Sequence, residues 1–358
     1  MLFKSKMHLH LQFLEKSVRY LVTDASGKNV IEKDELIFES FILQEGKLVG
    51  SSFLKTRLDA LIKEKKWKQA KVSILLPDDS VTIRKETIPA QLDYNEIKDY
   101  LNLHVNQSIR LPFEDPRIDF EVIEKNESTQ TLFLAAYPGE QVRQYLDLLE
   151  AAHLQPEVAD LSSLCIYRIL LAQSCSAVKS SAHVMVLQWN PIDTSITVFN
   201  KGIPQFNRHT RSQRLTDAWT LSKESRWIWK RSERELSESL EDQLNGLERF
   251  FEFYRYSVMD GQGSISEIVL SGYFPEMTRL KQLLDERFSV PVNMLELPEG
   301  VYQAESALYG LTLREHKPKK RLLDSAKRTE KSQREKNLHR QNKNRLSNLE
   351  TESEGDAV

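Results

Sequence analysis

Two stretches of the chain are built to one plan. MHLHLQFLEKSVRYLVTD (residues 7–24) and HVMVLQWNPIDTSITVFN (residues 183–200) are each an apolar run, a short polar turn and a second run. Each is followed by a third extended run, LIFESFIL in the first case and GIPQFNRH in the second. A helical stretch and a buried strand come next in both. In the first half these are the segment around Phe53, Leu54, Leu58, Leu61 and Ile62, then KVSILLP. In the second they are LEDQLNGLERFFEFYRYS, with Leu244, Leu247, Phe251 and Tyr254 on one face and Phe250 widening it, then ISEIVLSG. A chain that writes strand-turn-strand-strand-helix-strand twice must build two sheets of one topology. At 358 residues it is long enough to give each sheet its own core. PEMTRLKQLLDERF, VPVNML and the small-residue helix YQAESALYGLTLR complete the second half.

The first half carries an insertion. VTIRKETIP predicts a strand ending at Pro89, and Asp93 with Glu96 three residues later has the pattern of a capping box. Ile97, Leu101 and Val105 then recur at helical spacing. RIDFEVIEK and TQTLFLAAY predict a strand pair across Asn126–Ser128, and EQVRQYLDLLEAAHL a helix with Val142, Leu146 and Leu149 on one face. VADLSSLCIYRILLAQ returns the chain to the first core. The expected organisation is a first half over 1–80, an inserted β-α-β-β-α subdomain over 81–155, a return strand and helix over 156–180, a second half over 181–316, and a tail over 317–358.

The tail differs from the body in charge. Residues 317–346 hold 12 Lys and Arg against Asp324, Glu330 and Glu335, a net of +9, and the last twelve residues add four acids. The whole chain is −2, so the body is acidic. With few apolar residues the tail is expected to be disordered, a solubilising segment or one drawn to acidic lipid headgroups; no nucleic-acid partner is expected. Cys165 and Cys175, without a secretory signal, point to reduced thiols in a cytoplasmic protein. No run approaches the roughly 18 apolar residues of a spanning helix.

Catalytic motifs are few. Gly27-Lys28 lacks the earlier glycine of a phosphate loop and has the pattern of a hairpin turn; neither a nucleophile elbow nor a zinc-type cysteine pair occurs. His8-Leu9-His10 has no third ligand nearby, so a solvated strand face is expected rather than a metal pair. WTLSKESRWIWKR, with Trp219, Trp227, Trp229, Lys230 and Arg231, is read as small-subdomain packing, with a partner contact as the functional alternative.

The inserted unit carries a resemblance. EIKDYLNLHVNQSIRLPFEDPRIDFEVIE with TLFLAAYPGEQVRQYLDLLEAAHLQPEVADL resembles the PilM family of type IV pilus assembly proteins through Glu96, Tyr100, Pro112, Asp119-Phe120, Ala135-Ala136, Pro156 and Asp160. That family has the actin-like fold of the cell-division protein FtsA. GIPQFNR, LERFFEFYRY, IVLSGYFPEM and ALYGLTLR extend the resemblance over most of residues 8–314. It implies an α/β, actin-like ATPase fold of two duplicated halves. It also implies a cytoplasmic scaffold of a pilus or competence pseudopilus machine, peripheral to the inner membrane. The partner it implies is PilN-like, a bitopic membrane protein whose N-terminal peptide enters a groove of the first half. Tyr94, Tyr100 and Phe113 are the candidate anchors.

Against that family pattern the ligand loops depart. Actin-like ATPases use Asp-x-Gly turns whose backbone N–H groups approach the phosphates. The matching positions here are Gln12, Phe13 and Leu14 in the first hairpin, and Gln188, Trp189 and Asn190 in the second. Ser271, Gly272 and Tyr273 stand on the adenosine side, and Pro191 removes an N–H donor. Asp193, Thr194 and Ser195 keep polar groups that turn and strand chemistry also explains. The expectation is a pseudo-ATPase without cofactor and without metal. ATP with Mg²⁺ enters only if the altered loops still bind it, as in an active actin-like ATPase of pilus assembly or cell division. A membrane-surface or nucleic-acid binder driven by the tail is the third alternative.

Overall fold

The computed structural model describes residues 7–27, 29–105, 107–173 and 182–314. Cys175, Lys28 and the tail 317–358, on which expectations were placed, lie outside the described residues.

The repeat written in the sequence is a repeat in space. Strands β1 (His8–Leu14), β2 (Ser17–Thr23) and β3 (Val30–Ile37) form an antiparallel meander. A short ladder, β4 (Leu43–Gln44) with β5 (Lys47–Leu48), leads into helix α1 (Ser51–Lys65), and β6 (Lys71–Leu76) then lies parallel to β1. After the insertion, β10 (Gln155–Leu161) adds parallel to β6, giving the order β10-β6-β1-β2-β3. The second half repeats this with β11 (His183–Trp189), β12 (Asp193–Asn200), β13 (Ile203–Arg211), β16 (Ile265–Ser271) and β17 (Val292–Met294), ordered β13-β12-β11-β16-β17.

Both sheets are covered on both faces, which corrects two expectations. The third strand is VIEKDELI rather than LIFESFIL. Phe38, Ile42 and Leu43 are buried as a loop folded over the first hairpin, where Phe38 N–H donates to the Lys16 carbonyl at 2.8 Å and Ile42 N–H to that of Glu15 at 2.7 Å. His8 and His10 are not on a solvated face: they are 7% and 0% exposed, with rings stacked at 4.6 Å. His8 bonds Ser73 and His10 bonds Thr23, so hydrogen bonds carry the burial of both rings. Among the described residues no group of His, Cys, Asp and Glu converges as a metal site.

The insertion is a three-stranded antiparallel sheet, β7 (Thr82–Pro89), β9 (Thr129–Pro138) and β8 (Pro116–Lys125), in the order β7-β9-β8. Helix α2 (Tyr94–His104) packs on it through Ile97 and Leu101 against Ile88, Leu132 and Leu134. Its start is fixed as the sequence predicts. Asp93 accepts from the N–H groups of Asn95 and Glu96, and Glu96 accepts from that of Asp93. Helix α3 (Gly139–Ala151) turns its Tyr145, Leu148 and Leu149 into the first core; Val142 and Leu146, expected on that face, are only partly buried.

Two helices lie between the sheets: α4 (Ser162–Ala172) and, introduced last, α8 (Ser306–Thr312). Cys165, Ile166, Ile169, Leu308 and Leu311 fill one cluster with Leu21 and Leu75 of the first sheet and Val184, Val186 and Val269 of the second. The outer face of the second sheet is covered by α5 (Gln213–Ala218), α6 (Glu233–Phe253) and α7 (Met277–Arg287). The Trp-rich stretch is a hairpin, β14 (Trp219–Leu221) with β15 (Trp227–Trp229). Its Trp219 is buried against Trp229 and Phe274, in keeping with packing. No helix among the described residues is long and apolar enough to cross a membrane.

The α4–α8 contact sets a stability test. A Cβ added at Gly310 would fall inside the van der Waals shell of the Cys165 backbone. Gly310→Ala is therefore expected to destabilise the chain by ~2 kcal/mol, within the usual range for overpacking a core. It should lower the urea midpoint with the slope unchanged; an unshifted midpoint would show that the helices separate freely.

Candidate functional site

In open α/β sheets, ligands sit beyond the carboxyl ends of the parallel strands. Here β6 runs out into Pro77-Asp78-Asp79 and β16 into Gly272-Tyr273, and the two hairpin turns close in from either side. The cavity between them is lined by Gln12–Glu15, Asp78, Asp79, Ser162, Gln188, Asn190, Asp193, His209, Ser271–Tyr273 and the start of α8. Its volume is about 60 Å³, whereas pockets for drug-sized ligands run to roughly 300–1,000 Å³.

Both turns are engaged within the protein. In the first hairpin the tip is Glu15-Lys16, and both carbonyls are taken up by the loop that folds across it. In the second, Asn190 N–H donates to the Asp193 carbonyl at 3.0 Å and Pro191 has no N–H to offer. Asn190 Nδ2 also donates to Asp193 Oδ1 at 2.8 Å, and Asn190 Oδ1 accepts from Tyr273 N–H at 3.3 Å. Gly272, at φ +112°, is the one residue type that fits here. A Cβ would strike the Trp189 backbone, whose carbonyl accepts from Phe274 N–H.

Side chains from the two halves meet directly across the cavity. Gln188 Nε2 donates to Ser162 Oγ at 2.7 Å, and Ser162 in turn donates to Asp78 at 2.6 Å. Arg211 of β13 is ion-paired with Glu15 of the first hairpin. His209 of β13 lies 3.4 Å from Asp79 of the first half and 3.7 Å from Asp193 of its own. Outside this cluster, Ser225 at the tip of the Trp hairpin donates to Glu35 on β3, and Arg19 donates to the Ala304 carbonyl at 2.6 Å.

These contacts shift the titrations. Burial first, then the charge of Asp193, pushes the Glu15 carboxyl up to about 7 in spite of Arg211. Burial raises Asp78 as well, with the Ser162 hydrogen bond working against it. Burial acts against the His209 imidazolium, but Asp193, Asp79 and Asp78 outweigh it and hold His209 at about 9.

Of the positions singled out from sequence, Gln12, Leu14, Gln188, Asn190, Ser271 and Gly272 line the cavity, and Thr194 and Ser195 do not. Ser195 is buried within the ladder between Gln188 and His209, and Thr194 is paired with Trp189 and Thr210. Glu15, Asp78, Asp79, Ser162, His209 and Gln303 were not foreseen. The strand KVSILLP followed by two aspartates was the available signal, since its carboxyl end is where a parallel strand delivers site residues. On the insertion, Tyr94 is 54% exposed with its ring 5.0 Å from Phe120, Tyr100 stacks on His104 at 3.8 Å and is half-buried, and Phe113 is half-buried in the loop before β8.

Residues 14–319 match the family model described as type IV pilus assembly protein PilM. Among solved structures the chain is similar to that of the PilM-PilN type IV pilus biogenesis complex: TM-score 0.68, 18% identity, covering 87% of this chain and 99% of that one. It is also similar to a Bacteroides thetaiotaomicron protein with an actin-like ATPase fold (0.43, 13%, 85% and 96%). The ADP-bound MreB5 of Spiroplasma citri is a third (0.46, 9%, 86% and 95%). A comparison with curated proteins gives no match. The fold is thus the one found in the PilM-PilN structure.

The cleft's titrations have a definite sign. Glu15 and His209 both hold their protons more tightly than their ordinary values of 4.5 and 6.5 would require. What His209 contributes is fully present below pH 6.5 and lost as pH rises towards about 9. Glu15 loses its own share between pH 4.5 and about 7. The melting temperature should therefore fall between pH 6.5 and 9, and His209→Asn should flatten that fall. A variant that declines as steeply as the parent chain would remove His209 from the account.

Proposed function

The chain belongs to the PilM family of type IV pilus assembly proteins, and from that footing we propose that it is a scaffold rather than an ATPase. The observation that carries this reading is the closure of the cleft by the protein's own groups. Glu15 pairs with Arg211, and Gln188, Ser162 and Asp78 form a continuous chain, at the place where an actin-like ATPase would use bound nucleotide to join its halves. A cavity of about 60 Å³ edged by four carboxylates is both too small and of the wrong sign for a triphosphate.

What the scaffold presents is the insertion. Strand β8 is the outer strand of its sheet, so one of its edges has N–H and C=O groups free to pair with an added extended peptide. On the strand Val122 is 41% exposed, and on α2 Tyr94, whose ring meets Phe120 of the strand, and Leu103 are 54% and 67% exposed. On this reading they receive the N-terminal peptide of a PilN-like bitopic protein at the cytoplasmic face of the inner membrane. A similar structure being that of a PilM–PilN complex supports this.

Two measurements test the proposal. Mg-ATP should leave the melting temperature unchanged, because ligand at 100 times its dissociation constant would add ~2.7 kcal/mol and be plainly visible. A saturable upward shift restores the ATPase reading. Separately, the full chain should capture a PilN N-terminal peptide, and truncating a true anchor among Tyr94, Tyr100 and Phe113 to Ala should weaken capture about 30-fold, as expected for a hot-spot loss of ~2 kcal/mol. Undiminished capture by the folded triple variant would move the peptide site off the insertion.

A further inference from the structure

The cleft has been left with an excess of acceptors. Four carboxylates, those of Glu15, Asp78, Asp79 and Asp193, line the cavity, and only His209 and Arg211 stand against them as cations. Arg19 is taken up by Glu35 and the Ala304 carbonyl. Three side-chain oxygens of residues that line this cavity are buried with no hydrogen-bond partner: Gln12 Oε1, Glu15 Oε2 and Gln303 Oε1. Glu15 itself is only 4% exposed, so this oxygen is a desolvated carboxylate acceptor with nothing to accept from. Two buried donors nearby, Arg211 Nε and Trp189 Nε1, are also without a partner, but neither residue lines the cavity.

We propose that this cavity takes the charged head of one organic cation, an alkylammonium or guanidinium group. Such a head brings several N–H donors on one positive charge, the complement of unmet acceptors on a net negative wall. An anion is opposed by the same charges. A divalent metal is a poorer fit, because the acidic groups do not converge on one point. The volume, about 60 Å³, admits a head group and not a base with its sugar. Burial raises both Glu15 and Asp78, the direction expected of carboxylates that lack sufficient counter-charge. The inference rests on the reading that nucleotide does not occupy the cleft. The head can come from a free small amine or from a Lys or Arg side chain.

Isothermal titration calorimetry of the full chain with methylammonium and methylguanidinium chloride, at ionic strength held constant with sodium chloride, tests it. One-to-one saturable binding of at least one cation is expected. Glu15→Gln should weaken it tenfold or more, and Gln12→Met, which removes an acceptor at similar volume and leaves the charge alone, several-fold. Circular dichroism confirms that each variant is folded. The absence of saturable heat with either cation, or binding unchanged in both folded variants, overturns the proposal. N-acetylarginine methylamide and agmatine separate the sources: binding of the first supports a polypeptide side chain, binding of only the second a free amine. Titration with Mg-ATP reports independently on the premise. Heat from Mg-ATP fails both readings, whereas no heat from Mg-ATP and none from the cations fails this inference alone.

Discussion

Two helix backbones in contact fix the geometry on which everything else depends. At Gly310 the α8 chain lies so close to the carbonyl of Cys165 on α4 that no side chain can intervene. Arg168 then ties the pair from the side, donating to the Gly310 carbonyl at 2.9 Å and to Asp160 at 3.0 Å, while Arg314 donates to Asp160 from beyond the end of α8. Because Leu21 and Leu75 of one sheet and Val184, Val186 and Val269 of the other pack on the same two helices, their separation sets the separation of the sheets. Both helices also begin at the cleft: Ser162 opens α4, and Ser306 opens α8 within 2.7 Å of Ser271. The spacing of the two hairpin turns follows from that close approach.

Once the turns are held at that distance, the chemistry of their residues decides what the cleft contains. Glycine turns leave backbone amides pointing at a ligand and room for it. Here the Glu15 and Lys16 carbonyls and the Asn190 amide are bonded within the protein, and Glu15, Gln188 and Asn190 stand where such a ligand would lie. A buried carboxylate needs partners, which Arg211 and His209 supply from β13. Breaking one such pair leaves the other charge stranded in the interior, which is far more costly than the pair is stabilising. The cluster thus joins the two halves across the cleft.

The duplication was legible because strand-turn-strand patterning survives whatever occupies the turns. Leu9, Leu11 and Phe13 alternate on β1 as any half-buried strand would, and the pattern gave the hairpins to within a residue. It failed where burial is two-sided. His8 and His10 have the pattern of a wet face, yet α4 and α8 cover that face, and neither helix is adjacent to β1 in sequence. It failed again at β3, whose charged VIEKDELI lies at a sheet edge, while the apolar LIFESFIL was drawn inward as a loop. The cleft was half legible. Loop positions such as Gln12 and Gln188 follow from the hairpins, but His209 and Arg211 reach the site only through the pairing of β12 with β13, which puts Asp193 opposite Arg211 and Ser195 opposite His209. Local pattern does not determine which side of such a ladder faces a neighbouring domain.

Cleft and insertion therefore make opposite demands on sequence. Within the cleft Asp79, His209, Asp193 and Asn190 answer one another at under 4 Å, so a single exchange of acid for amide among them unbalances its neighbours. The outer edge of β8 makes no such demand: its hydrogen-bonding groups belong to the backbone, and any side chain that tolerates an extended conformation can stand there. Specificity at an edge has to come from side chains beside the strand, which is the place of the exposed Tyr94 over Phe120. On the scaffold reading proposed above, a protein that holds its halves together with its own charges devotes that edge to a partner, because nothing bound there has to signal to the cleft for the fold to stay closed.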